Sequence, residues 1–382
     1  MRKRSQNTRR NKQTVSAPVQ SAPRITITES RNNDQTGFFD KHPIAKTILS
    51  VTGFFIFAIL SLLFTKHYKF PQLNYSFDMK GDTPFASILD FYGYHKNQLS
   101  SIQNIYPVVI GTSLFYLYRN FNCDYELSAL FSFIAIMDSG FSSFLQSSNS
   151  HFFHVFLTML TFFFQGLLFH EKAFSTIWFI LNAFLSFFIS LNFCNRVESL
   201  PLIVSYIYSI SITVRKTSLS FSPRKPTKIL DIIKIVSLNC FVSFVTIFIF
   251  KSTIGLPKFR KISFSIDDIF DEYKIIQFGY TLIVFEILAV FLFAFKFTYL
   301  NSYDSLLLIS LALTFVSNLI LPVFSGESAL ATKIFDGKLN LVMMAGIVIG
   351  RPSRLYLSYT LLLIGLFTTW VERYKFKPLG EF

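Results

Sequence analysis

Residues 151–193 read HFFHVFLTMLTFFFQGLLFHEKAFSTIWFILNAFLSFFISLNF, two long apolar runs that only His170, Glu171 and Lys172 separate. A helix needs about 20 mostly apolar residues to cross the hydrocarbon core of a bilayer. Backbone polar groups in lipid find no water to bind, so apolar runs of this length form helices. The stretch therefore predicts two membrane-spanning helices joined by a tight turn.

The same alternation of apolar runs and short polar gaps extends over residues 48–371 and predicts an all-α polytopic integral membrane protein. Hydrophobic residues make up 51% of the chain and charged residues only 15%, a smaller charged share than soluble domains have. We predict about eleven transmembrane helices. Their expected bounds are 47–65, 103–118, 127–145, 151–169, 174–193, 199–214, 232–250, 276–297, 304–323, 339–350 and 354–371.

The predicted helices divide into two membrane halves behind a polar tail. Residues 1–44 are basic and poor in apolar side chains, so we expect a disordered tail. The N-terminal half, residues 45–254, holds about seven of the predicted helices and a long loop at residues 66–101. A short loop at residues 255–275 leads to the C-terminal half, residues 276–382, with about four helices.

The net charge of +14 is concentrated in the tail and in residues 215–228. Basic runs can bind nucleic acid, but in a membrane protein they mark cytoplasmic segments, so we expect no nucleic-acid partner. With the tail in the cytoplasm, Arg119, Lys172 and the Arg351/Arg354 pair fall on the cytoplasmic side as well. The loops 66–101 and 255–275 and the C-terminus then lie on the opposite side.

Neither the cysteines nor the histidines predict a metal site or a disulfide framework. Cys123, Cys194 and Cys240 are far apart and show no Cys-x-x-Cys spacing. His151 and His154 lie on one face of a predicted helix without a third ligand nearby in sequence.

Two acidic residues in or near apolar runs are candidates for function, because ionisable groups are costly inside a membrane. Asp138 lies near the end of a predicted helix, where an interfacial position explains it equally well. Glu286 lies in the middle of the predicted helix 276–297, where it either pairs with Lys296 or bonds to a neighbouring helix.

The loop at residues 66–101 carries the most informative motif. It contains Asp78 among aromatic residues, and residues 84–92 place apolar side chains at helical spacing. Such a segment is expected to lie as an amphipathic helix in the membrane interface, close to Asp78. A solvent-exposed loop aspartate is the alternative interpretation of Asp78. The loop also holds the glycosylation sequon at Asn74.

The order of residues in this loop resembles that of the protein O-mannosyltransferases, a family of polytopic GT-C type glycosyltransferases. The matching residues are Thr65, Tyr68-Lys69, Phe77-Asp78, Phe85-Ala86-Ser87 and Tyr92. Further along, Met137-Asp138-Ser139, Gln146-Ser147 and Gly350-Arg351 are similar to later motifs of the family. The expected helix count and the side of the C-terminus also agree with this family.

The chain departs from the family at several positions. Met79 and Ser148 stand where the family has Glu and Arg, and the histidines of its C-terminal motif are missing. Residues 251–273 are too few to form the soluble luminal domain of typical members. These departures favour a divergent member that lacks this domain.

The resemblance implies transfer of mannose from dolichyl phosphate mannose to Ser/Thr of proteins at the luminal face of the endoplasmic reticulum. It assigns Asp78 as the base, and Gln146 and Arg351 as residues that position the substrate or the donor phosphate, with no metal or cofactor besides the donor. The implied partners are membrane lipids, the lipid-linked sugar, an acceptor polypeptide and a homologous subunit in a dimer. The N-terminus is expected in the cytoplasm and the C-terminus in the lumen.

Two alternative functions and two alternative interpretations of charged residues remain open. A non-catalytic membrane subunit would keep the fold and lose the chemistry, and an unrelated transporter would also be polytopic. Arg351 and Arg354 are explained by a cytoplasmic turn as well as by lipid phosphate, and the predicted topology places Arg351 across the membrane from Asp78. The triplet at residues 170–172 is similar to one in lipid-linked-oligosaccharide glucosyltransferases, but charge is expected in any such turn.

Overall fold

The computed structural model describes residues 105–120, 123, 125–137, 144–145, 149–220, 229–253, 302–322 and 329–349, with isolated positions between 52 and 63. The tail 1–44, the loops 66–101 and 255–275, and the predicted helices 276–297 and 354–371 lie outside these residues. What the sequence predicts for those segments stays a prediction.

Every regular element in the described ranges is helical, as the sequence predicts. We number the α-helices in chain order, and a short 3₁₀ turn at Val197–Ser199 joins the fourth to the fifth. The helices are α1 Tyr106–Asn120, α2 Tyr125–Met137, α3 Asn149–His170, α4 Thr176–Asn195, α5 Pro201–Ser220, α6 Ile229–Thr253, α7 Ser302–Ile320 and α8 Ala329–Ile349.

Four stretches of the described chain are long and apolar enough to cross a membrane: 150–170, 176–195, 197–216 and 232–252. Each has 20 or 21 residues, which at about 1.5 Å per residue matches a hydrocarbon core of about 30 Å. They correspond to four consecutive predicted spans, with ends that shift by a few residues. The described part of the protein thus has the helices of an integral membrane protein.

The tight turn between α3 and α4 is confirmed. His170 ends α3, and the Ser175 side chain accepts a hydrogen bond of 3.1 Å from the backbone N–H of Trp178 to cap α4. Phe174 adopts a left-handed backbone conformation with φ 66°, which lets the chain reverse within five residues. These two apolar runs are therefore antiparallel neighbours, as their short connection predicts.

The tenth predicted helix is wrong in its bounds. It was expected at residues 339–350 after a loop, but α8 begins ten residues earlier, at Ala329. Lys333, Asp336 and Lys338 gave this segment the polar composition of a loop. The helix accommodates Asp336 and Lys338 with less than a tenth of each residue exposed, and the bundle supplies His154 as a partner for Asp336.

Helix α3 lies at the centre of the described helices. It packs against α1, α4, α5 and α7, while α8 packs against α1 and α7. Its Phe162 side chain belongs to one buried cluster with Tyr118 of α1 and Trp178 of α4. Because α3 contacts so many neighbours, polar residues on it can meet partners from distant parts of the chain.

Helix α6 differs from the others because it packs mainly against α4. Its side chains Phe241, Phe244 and Phe248 are each more than half exposed. A soluble protein rarely exposes a continuous row of large apolar residues, whereas lipid tails accept one without cost. This face of α6 indicates contact with a bilayer.

The two ends of the helices differ in their charge. At one end, the His170 and Tyr303 rings lie 4.2 Å apart and the Lys216 amine lies 4.3 Å from the Tyr303 ring. The end of α3 with Ser150 lies next to Arg196 and the start of α8. The contacts at the first end join a histidine, a lysine and a tyrosine, whereas the second end brings arginine together with the hydroxyl groups of Ser150 and Thr332. Which end faces the cytoplasm stays a prediction.

Substitution of Gly346 by alanine should destabilise the protein by about 1–3 kcal/mol, because the bundle is already filled at this point. A Cβ atom there would lie 2.2 Å from the Tyr118 ring. That ring is buried, and its hydroxyl donates a 3.2 Å hydrogen bond to the Val342 carbonyl oxygen. Denaturant unfolding in detergent micelles measures the change.

Gly337→Ala is the matched control on the same helix, since its Cβ would meet Phe315 at an ordinary 3.5 Å. It should be neutral or stabilise the helix by up to about 1 kcal/mol. Equal stability of the two variants would contradict the described packing of α1 against α8.

Candidate functional site

The three residues that the sequence nominated for the site, Asp78, Gln146 and Arg351, lie outside the described residues. The same holds for Asp138, Glu286 and Arg354. A different group of polar residues lies at one end of the described helices, around His154. It was not predicted as a site.

A buried contact between His154 on α3 and Asp336 on α8 is the centre of this group. His154 Nε2 lies 2.8 Å from Asp336 Oδ1 and 2.7 Å from Oδ2. The His154 side chain is about 1% exposed, and that of Asp336 about 11%. Away from water, a contact this close contributes far more than it would at the surface.

Asn192 on α4 orients the imidazole from the other side. Its Oδ1 lies 2.7 Å from His154 Nδ1, while its Nδ2 donates to the His154 carbonyl oxygen and to Thr158 Oγ1 at 3.3 and 3.1 Å. Because Nδ2 makes these two donations, the amide oxygen Oδ1 is the atom that faces the imidazole ring. Both ring nitrogens therefore face acceptor oxygens, which an imidazole protonated on both nitrogens satisfies. The contact with Asp336 is then an ion pair.

Arg196 extends the group to the turn between α4 and α5. Its Nε donates to Ser150 Oγ at 3.1 Å and its Nη1 to Thr332 Oγ1 at 2.7 Å, so one side chain joins α3 to α8. Burial lowers the pKa of the Arg196 guanidinium, and the nearby carboxylates of Glu198 and Asp336 act in the opposite direction. An arginine keeps its charge in proteins, so this end of the bundle holds a partly buried cation.

Two adjoining clefts open beside this group. The first, of about 230 Å³ with its open part included, is lined by ten residues: His154, Thr158, Glu198, Ser199, Pro201, Leu202, Thr314, Asn318, Asp336 and Asn340. The second shares Glu198, Pro201 and Asn318 with it and adds Lys333 from α8. Lys333 donates from its amine to the Leu321 carbonyl oxygen, and Asn318 Nδ2 donates to the Lys333 carbonyl oxygen at 2.7 Å. Because Glu198 belongs to the lining of both clefts, its side chain faces the two of them.

We name His154, Asn192, Arg196, Glu198 and Asp336 together the polar cluster. It brings acidic and basic side chains from α3, α4, the 3₁₀ turn and α8 to one place. Among the described residues, no group of three or more His, Cys, Asp or Glu side chains has an arrangement that could hold a metal ion. The chemistry that the polar cluster offers is proton transfer, charge stabilisation and hydrogen bonding to a polar ligand.

The sequence contains one signal for this site. Lys333, Asp336 and Asn340 are spaced three and four residues apart, which places them on one face of a helix. His154 was considered only as a partner of His151 in a metal site. Its actual partners lie 38 and 182 residues away in the chain, and a single sequence does not reveal such pairs.

Comparisons with known proteins give no further assignment, because no family model, curated protein or solved structure matches this chain.

Replacement of Asp336 by leucine should cost about 3–5 kcal/mol of stability, because it leaves the charged His154 side chain buried without its carboxylate. The double variant His154→Leu/Asp336→Leu should recover much of that loss, since two apolar side chains then replace the pair. Denaturant unfolding of the single and double variants in the same detergent measures both free energies.

The matched single variant His154→Leu completes the cycle. A double variant as unstable as the sum of the two singles would show that His154 and Asp336 do not interact.

Proposed function

We propose that this protein is a divergent membrane glycosyltransferase that uses a lipid-linked sugar. Its reaction is the transfer of mannose from dolichyl phosphate mannose to Ser/Thr hydroxyls of proteins. Its location is the endoplasmic reticulum membrane, with the N-terminus in the cytoplasm and the C-terminus in the lumen. The donor lipid, the acceptor polypeptide and a homologous membrane subunit are its expected partners.

The observation that carries this proposal is the polar cluster beside two clefts. Ionisable residues among apolar helices are costly and usually mark a path or site for a polar substrate. A donor whose phosphate is attached to a lipid needs its site at the edge of the bilayer, and the polar cluster lies at the ends of α3 and α4. In the predicted topology, this is also the side of the loop with Asp78.

The resemblance supplies the reaction step. The acceptor oxygen attacks C1 of the mannose, the bond from C1 to the phosphate oxygen breaks, and dolichyl phosphate leaves with the electron pair. Asp78 takes the proton of the acceptor hydroxyl. A cation near the departing phosphate would stabilise its charge. The resemblance has Gln146 and Arg351 position the substrate or this phosphate, and for Arg351 to act beside Asp78 the number of spans between them must differ from the predicted number. We expect Glu198 to contact the substrate, because it faces both clefts.

A non-catalytic subunit of the same fold is the rival that the sequence favours most, since Met79 and Ser148 replace two motif residues of the family. Such a protein would keep its helices and its partner surface and show no transfer. Purified protein assayed alone and with a homologous active subunit distinguishes these two cases.

A transporter is favoured by one structural observation, the buried contact of His154, which lies in the candidate span 150–170, with the carboxylate of Asp336 on α8. Acidic and histidine side chains in this setting form proton relays in transporters. Proton flux into proteoliposomes that depends on Asp336 would support this second candidate over the transferase.

Asp78→Asn should lower mannose transfer to an acceptor peptide by at least about 100-fold, because a general base contributes about that much or more. The amide keeps the shape of the carboxylate and removes its ability to take a proton. The assay follows radiolabelled mannose from dolichyl phosphate mannose to a Thr-rich peptide, with purified full-length protein.

Asp90→Asn is the control, since it makes the same change in the same loop outside the motif. Its transfer rate should stay within about twofold of the wild type. Equal activity of wild type and Asp78→Asn would remove Asp78 from the mechanism, and no transfer by the wild type would favour one of the rivals.

A further inference from the structure

Several hydrogen-bond acceptors line the cleft next to His154, beside the amide groups of Asn318 and Asn340. Asp336 and Glu198 contribute carboxylates. The hydroxyl of Thr314 donates its proton to the Ser310 carbonyl oxygen at 2.9 Å, and that of Thr158 donates to the His154 carbonyl oxygen at 2.8 Å. Both hydroxyls therefore have only lone pairs left to offer. A ligand that enters this cleft has to bring its own donors.

Asn340 provides a second, independent observation. Its side chain is 2% exposed and lines the cleft, and its Oδ1 has no hydrogen-bond partner among the described residues. A buried acceptor without a partner costs about 1–3 kcal/mol, so native proteins rarely keep one unless something binds to it. The oxygen marks the point where a donor from outside the described chain is required.

The charges at the cleft indicate what kind of donor fits. A cation finds little net attraction, because Asp336 is already paired with His154 and Glu198 lies close to Arg196. An anion is repelled by a lining of acceptor oxygens. An uncharged group with an O–H donor meets neither obstacle, since it donates to an acceptor without bringing charge.

We propose that the cleft of Asn340, Thr314, Glu198 and Asp336 binds an uncharged hydroxyl group of a substrate. The inference rests on the proposed function for the source of that hydroxyl. Two sources share this chemistry, the mannose ring of the lipid-linked donor and the Ser/Thr side chain of the acceptor.

The test is a binding measurement that needs no turnover. Purified full-length protein in detergent is titrated with two matched pairs of probes. Dolichyl phosphate mannose is compared with dolichyl phosphate, which lacks the sugar, and a Thr-containing peptide is compared with the same peptide carrying Val. Because the members of the first pair also differ in phosphate charge, the change of each ratio on substitution of Asn340 is the quantity that reports the contribution of the hydroxyl groups.

The wild type should prefer the hydroxyl-bearing probe in one pair by about tenfold, the size of one or two hydrogen bonds. Asn340→Leu removes the acceptor at nearly constant volume and should abolish that preference. Thr314→Val should reduce it by a smaller factor. The pair that responds identifies the source of the hydroxyl as donor sugar or acceptor side chain.

Ser310→Ala is the control, because Ser310 Oγ is also buried without a hydrogen-bond partner in the described chain but does not line this cleft. It should leave both ratios unchanged. The thermal midpoint of each variant, and the Thr314→Val result, guard against a misfolded Asn340→Leu.

Three outcomes decide the matter. No hydroxyl preference in the wild type, or a preference that Asn340→Leu keeps, overturns the inference. A preference that Asn340→Leu abolishes, in a protein that transfers no mannose, keeps the inference and rejects the transferase. Transfer that depends on Asp78, with a preference insensitive to Asn340, keeps the transferase and rejects the cleft.

Discussion

The ion pair between His154 and Asp336 is the interaction on which the described arrangement depends. Its two residues are 182 positions apart and come from different halves of the chain, so the pair joins α3 to α8 across the bundle. Removal of two charges from water is expensive, and their attraction compensates only when the remaining polar atoms are also satisfied. For His154, the remaining polar atom is the ring nitrogen Nδ1, and Asn192 Oδ1 satisfies it at 2.7 Å.

This requirement explains why polar residues collect at one end of otherwise apolar helices. Arg196 follows α4 at the turn and bonds to the starts of α3 and α8, and Glu198 lies two residues further on. The opposite end, around His170 and Lys216, instead shows the basic character that positive-inside loops have. One end is arranged as loops of a membrane protein usually are, and the other brings both signs of charge beside a cleft.

The sequence predicted the helices that apolar composition alone defines. The runs that became α3 and α4 are long and separated by a charged triplet, so their bounds and their antiparallel packing follow from the cost of exposing backbone groups to lipid. The sequence-based prediction of the start of α8 was wrong, because Lys333, Asp336 and Lys338 give the segment the composition of a loop. Their place in a helix depends on partners in other parts of the fold.

The site itself was less predictable than the fold. Asp78, Gln146 and Arg351 came from a resemblance and lie outside the described residues, so they stay predictions. The polar cluster arises from pairings between distant segments, such as Asn192 with His154, which no local pattern encodes. The spacing of Lys333, Asp336 and Asn340 is the one local pattern that fits a polar face on α8, and their loop-like composition obscured it.

The most direct test of the account is the activity and the stability of Glu198→Gln measured together. The account predicts that this variant loses at least about tenfold in mannose transfer while its unfolding midpoint stays unchanged, because Glu198 serves the substrate more than the fold. Glu171→Gln, the same change at the opposite end of α3, should alter neither quantity. Unchanged transfer by Glu198→Gln, or a loss that follows a lowered midpoint, would contradict the claim that the polar cluster is a functional site.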